Sequence, residues 1–86
     1  MFEWDQGNAD HIAEHRVSTA EVEEALLDRR RIFDQANQTS DEQRWAVIGA
    51  TEAGRVLFVI FTLRGRLVRV VTARDALARE RRRYRR

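Results

Sequence analysis

The chain has 86 residues and no cysteine or proline, and its 16 basic residues, all arginine, stand against 14 acids for a formal net charge of +2. A chain of this length holds one small core, and without cysteine it has neither a disulfide framework nor a cysteine-type zinc site. The longest apolar run, Val56 to Phe61, is too short to cross a bilayer, so no membrane partner is expected.

The opening MFEWDQGNAD is acidic and lacks the apolar run of a secretory signal, which with the absent cysteine fits a reducing, cytoplasmic setting. Phe2 to Trp4 reads as a short edge strand. Asp5 can cap a first helix running to about His15, with Ala9, Ile12 and Ala13 inward and His15 packed beside Ile12. Ser18 to Glu21 is a capping box, and Val17 with Val22 makes a hydrophobic staple, so a second helix starts there. Val22, Ala25 and Leu26 face its core side; Glu21, Glu23, Glu24 and Asp28 face water. Residues 31–35 read as a strand and 36–43 as a polar loop.

The period then changes. Trp45 to Thr51 reads as a strand and residues 52–54 as a turn. Arg55 to Leu63 is nearly continuous in apolar and β-branched residues, the pattern of a central strand covered on both faces. Gly65 supplies a hairpin turn, and residues 67–71 form the next strand. Thr72 to Asp75 has capping-box spacing and predicts the start of a terminal helix. The order is β-α-α-β-β-β-β-α with a largely antiparallel sheet and a basic C-terminal helix. This is an α+β layer protein with its helices on one side.

Charge is segregated along the chain. Residues 1–43 carry 11 acids and 4 arginines, a net of −7, while residues 44–86 carry 12 arginines and 3 acids, a net of +9. Seven of the last fifteen residues are arginine. Arginine binds phosphate in a planar, bidentate fashion and stays charged, so this end points to RNA, DNA or an acidic protein. Pairing between the two halves is the plainer account. Two positions stand out. Strict alternation after Gly65 puts either Arg66 or Arg69 among aliphatic side chains, where it must be paired, for instance to Asp75 or Glu80, or line a groove. Glu80 falls in the apolar stripe of the terminal helix, so it pairs with a buried arginine or rims a site. His11 and His15 share a helix face at a spacing that can hold metal, but no third ligand is placed and none is expected. Trp4, Trp45, Phe58 and Phe61 read as core.

FEWD near the start, HIAEHRV, VEEALLD, the hairpin FTLRGRLVRVVTARDA and the closing RERRRY resemble the BrnT-type toxins of bacterial type II toxin–antitoxin systems. These belong to the RelE-like ribonuclease group. The resemblance covers nearly the whole chain as a single domain over residues 1–86. It departs at Arg16, where the family usually has glycine after the histidine, and at Thr19. It implies a cytoplasmic toxin that cleaves mRNA without a metal or other cofactor and slows translation, on the ribosome or off it. It also implies a cognate antitoxin of ribbon-helix-helix type, DNA contact only through that antitoxin, and scope for a homodimer. Metal-free cleavage needs cations at the developing phosphorane. Arg64, Arg66, Arg69 and Arg74 cluster around one hairpin, with the helix start near Thr72 as a phosphate cradle. The expected catalytic set is Arg64, Arg69, Arg74, Glu80 and Tyr84, with Arg66, Arg79, Arg82, Arg83 and Arg86 along the RNA backbone. A non-catalytic module that uses the arginine-rich face to bind nucleic acid, or to dock an acidic partner such as the antitoxin, is the alternative.

Overall fold

Two side-chain caps set the N-terminal half. A computed structural model describes residues 1–35 and 43–85. Helix α1 spans Gln6–Ala13; the Asp5 carboxylate accepts from the Asn8 N–H at 3.0 Å, and Asn8 Oδ1 accepts from the Asp5 N–H at 2.8 Å. Helix α2 spans Thr19–Leu27 and carries the expected Ser18–Glu21 capping box. The first helix is shorter than its sequence suggested. It stops before Arg16, which turns left-handed at φ +59, a conformation that favours glycine after a helix. His15 is exposed rather than packed inward, and Asn8 is the buried polar residue near Ile12.

Five strands follow from the alternation and the turns: β1 (Phe2–Glu3), β2 (Ile32–Gln35), β3 (Trp45–Ala50), β4 (Val56–Arg64) and β5 (Leu67–Asp75), with helix α3 (Ala78–Tyr84) closing the described chain. They form one sheet in the order β1-β5-β4-β3-β2, in which β1–β5 is parallel and the remaining pairs are antiparallel. The architecture is the expected α+β arrangement. Most of the polar loop read over residues 36–43 lies outside the described residues.

Helices α1 and α2 cover one face. Ile12, Val17, Val22 and Ala25 pack there on Leu57, Val59, Val70 and Ala73. Gly49 allows α2 to approach, since a Cβ there would sit 2.2 Å from the Ala25 carbonyl oxygen. The acids of α2 are not simply solvated. Glu21 holds Arg55, Glu23 accepts from the Trp4 indole, Glu24 from the Glu52 N–H, and Asp28 from the Ala50 N–H at the sheet edge.

The opposite face is not left bare. Helix α3 crosses one end of it, where Arg83 bonds Asp34 of β2 and Glu80 bonds Arg74 of β5. Ala46 and Ile48 of β3 are fully buried, and β4, paired on both edges, is screened at this end as its apolar run implied. The start of α3 corrects the sequence reading. Thr72 to Asp75 has the spacing of a capping box, but the β-branched run Val70-Val71-Thr72 keeps pairing with β4 as far as Asp75. The helix begins only at Ala78, and its N-cap Leu77 offers no capping side chain. No phosphate cradle exists at residues 72–75.

Candidate nucleic-acid interface

A single bulge arranges the arginines. Along β5 the partners on β4 are Thr62 for Arg69, Phe61 for Val70, Ile60 for Thr72 and Phe58 for Arg74. Val71 is therefore an extra residue in the ladder. Were Val71 paired in a regular ladder, Arg69 and Arg74, five apart, would point to opposite faces. With it, Val70 and Ala73 both enter the core, while Arg69, Thr72 and Arg74 share the other face. Bulges commonly re-aim side chains in this way beside functional sites. Of the two arginines after Gly65, it is Arg69 that shares a face with aliphatic residues, with Arg74 on the same face. Arg66 sits exposed at the hairpin tip.

Arg74 is held from three sides. Its guanidinium lies 4.3 Å above the Phe58 ring, donates to both Glu80 oxygens at 2.9 and 3.0 Å, and reaches the Asp75 carbonyl at 3.1 Å. Glu80 Oε1 also accepts from the Leu77 N–H at 2.8 Å, so one carboxylate fixes both the arginine and the first turn of α3. Burial acts to raise the Glu80 carboxyl, but the bonds from Arg74 and Leu77, with Arg79 nearby, hold it below the usual range. Glu80 is thus a carboxylate held in its ionised form and engaged by Arg74 and the start of α3.

At the other end of the row, Arg69 donates to Asp5 at 2.9 Å and lies 3.7 Å from Glu3, while Arg64 lies 3.9 Å from the same Glu3 oxygen. The Asn8 N–H, then Arg69, keep the Asp5 carboxyl low, and the Asp5 bond raises Arg69. These acids come from the N-terminal segment, because β1 pairs with β5 at Arg69. The buried Asn8 side chain locks that arrangement by donating to both the Glu3 and Val70 carbonyls. A cleft of about 360 Å³ opens here, lined by Arg44, Thr62, Arg64 and Arg69 across the sheet and by His11 from α1. Thr62 donates to the Gln43 carbonyl at 2.8 Å, which brings the approach to β3, and with it Arg44, over the same face. His11 and Arg44 were missed as site residues. They lie far from the hairpin in the chain and meet it only through the β1–β5 and β3–β4 pairings.

Tyr84 does not join this group. Its hydroxyl donates to Asp28 beside the end of β3, and burial, then Asp28, raise its pKa, so it stays protonated. It lines a cleft of about 570 Å³ whose other side chains include Glu23, Glu24, Asp28 and Glu52. That field repels phosphate. Among the backbone-tracking candidates, Arg83 is tied to Asp34 at 2.8 Å. Arg66, Arg79 and Arg82 are exposed and make no ion pair among the described residues, and Arg86 lies outside the described residues. Asp75, offered as a partner for the hairpin arginines, is instead held by Arg55 at 2.7 Å. The His11 and His15 rings meet edge to face, 5.9 Å apart, and no third metal-ligating side chain joins them among the described residues.

The molecule is thus a small α+β domain with an arginine-lined cleft between its sheet and α1. A family model described as the ribonuclease toxin, BrnT, of type II toxin–antitoxin systems matches residues 4–80, and the chain belongs to that family. A comparison with curated proteins found no match. No helix among the described residues is long and apolar enough to cross a membrane.

Proposed function

We propose that the protein is the toxin of a bacterial type II system and acts in the cytoplasm as an endoribonuclease on mRNA. The 2′-hydroxyl of one nucleotide attacks the adjacent phosphorus and the 5′-oxygen leaves, giving a 2′,3′-cyclic phosphate, a reaction that needs no metal. The observation that carries this reading is the bulged strand, which aligns Arg69 and Arg74 on one face with Arg64 and Arg44 beside them. Cations fixed around a phosphate stabilise the charge that develops on its oxygens. Arg64 and Arg69 stand at the reacting phosphate, Arg74 holds a neighbouring one, and Arg66, Arg79, Arg82, Arg83 and Arg86 follow the chain. A cognate antitoxin of ribbon-helix-helix type restrains the toxin and carries the contact with operator DNA.

Induction in bacteria tests this. Growth arrest with new mRNA ends, lost in folded Arg69→Ala and Arg74→Ala variants and relieved by the co-expressed antitoxin, is the expected result. Normal growth and intact mRNA with soluble, folded protein would contradict it. One observation favours the second reading, a non-catalytic binding module: of the acid–base candidates nearest the arginines in sequence, Glu80 is taken up by Arg74 and Tyr84 by Asp28. That module would bind RNA in a salt-dependent manner without cutting it.

A further inference from the structure

We propose that His11 is the general base of this site. The inference rests on the ribonuclease reading and deepens it. The cleft beside Arg69 contains cations for a phosphorane but, with Glu80 and Tyr84 engaged elsewhere, needs a group to take the 2′-hydroxyl proton. His11 supplies it. It projects from α1 into the same cleft that Arg44, Thr62, Arg64 and Arg69 line. Its ring contacts His15 edge-on, and nothing hydrogen-bonds its nitrogens among the described residues, so a ring nitrogen is available. Its place is built rather than incidental. Asp5 and Asn8 cap each other, and the buried Asn8 side chain bridges the Glu3 and Val70 carbonyls, which pins the first turns of α1 against the edge of β5. Arg64 and Arg69, which stand at the reacting phosphate, also hold the substrate against this edge, so the base is positioned by helix packing and the anion by the sheet.

The step balances. The bond from the 2′-oxygen to phosphorus forms as the proton passes to the imidazole. The bond from phosphorus to the 5′-oxygen breaks, that oxygen takes a proton from solvent water, and His11 later returns its proton to solvent. Neither oxidant nor metal enters.

His11 is exposed, so His11→Ala should fold, which circular dichroism and thermal melting check. Purified protein with RNA bearing a single cleavage site is expected to lose about 100-fold or more in kcat in His11→Ala, with KM within about threefold of the original. Added imidazole should restore part of the lost rate, whereas a merely structural loss would not respond. His15→Asn, whose ring lies outside the cleft, should stay within about threefold of wild type. The same deficit should persist on a nucleoside 3′-(4-nitrophenyl phosphate), whose leaving group needs no acid. Undiminished cleavage by His11→Ala, or a deficit that imidazole cannot relieve, would overturn the role of His11 and leave the ribonuclease reading standing. A deficit that vanishes with the 4-nitrophenyl substrate would overturn its assignment as base. If wild-type protein cuts neither free RNA nor ribosome-bound mRNA, both the reading and this inference fall.

Discussion

Glu80 ties a sheet arginine to the start of the terminal helix through one carboxylate. Buried at 6 % exposure, it accepts two bonds from Arg74 and one from the Leu77 N–H. Glu80→Gln removes the charge and one acceptor while keeping the shape, so it should lower stability by about 1–3 kcal/mol, read from urea unfolding. It should also weaken RNA cleavage through a displaced Arg74. The pH dependence follows from the same groups. Asp5, Glu21, Asp28, Asp75 and Glu80 all have carboxyls held below their ordinary values in the fold. Each contributes stability that is present above the unfolded carboxylate pKa of about 4 and is lost as pH falls through its lowered folded value. Thermal melts should therefore be flat from neutrality down to about pH 5 and drop below about pH 4, with a shallower drop in Glu80→Gln. At this scale the sequence was partly legible. A glutamate in an apolar helical stripe signalled an arginine partner, which proved to be the half-buried Arg74. Nothing local marked Tyr84 for Asp28, 56 residues away, or His11 for the arginine cleft.

Helix starts with side-chain caps could be read from the chain, because Asp5 and Ser18 act within three residues of themselves. The same spacing misled at Thr72 to Asp75. There the pairing of β5 with β4 outweighs a local cap, and the bulge at Val71 has no signature in residue type. Deleting Val71 should remove the bulge and leave Arg69 and Arg74, then four apart, on the same face. The expected outcome is a folded protein that still cleaves RNA, checked by activity beside denaturant unfolding. Arg16 is a second element-level case. A non-glycine residue at φ +59 is strained by about 1–2 kcal/mol, and its carbonyl, which accepts from Arg55 at 2.8 Å, is kept by any substitution. Arg16→Gly should raise stability by about 1 kcal/mol in urea titrations. Gly49→Ala should do the reverse, losing about 1–3 kcal/mol, because the new methyl would meet the α2 backbone.

Across the whole molecule, the opposed charges of the two halves serve two purposes. Some pairs close the fold: Arg55 with Glu21 and Arg83 with Asp34 each join the basic half to the acidic one, while Asp5 holds Arg69 at the lining of the arginine cleft. The remaining arginines of the hairpin and α3 present positive charge, while the acids around Tyr84 keep the opposite edge negative. The segregation was visible in the sequence; which arginines were already neutralised was not, since that depends on the sheet order. Arg79→Ala and Arg82→Ala should each weaken RNA binding uniformly across sequences and reduce the salt slope of log Kobs by about 0.7, measured by titration at several salt concentrations. The central claim, that the arginine face of this domain cuts RNA, is tested most directly by the chemistry of the product ends. Protein added to an mRNA in a translating extract is expected to leave 5′ fragments ending in a 2′,3′-cyclic phosphate, detected by mass spectrometry, and folded Arg69→Ala protein to leave none. RNA bound by the wild-type protein yet intact in that extract would contradict the claim.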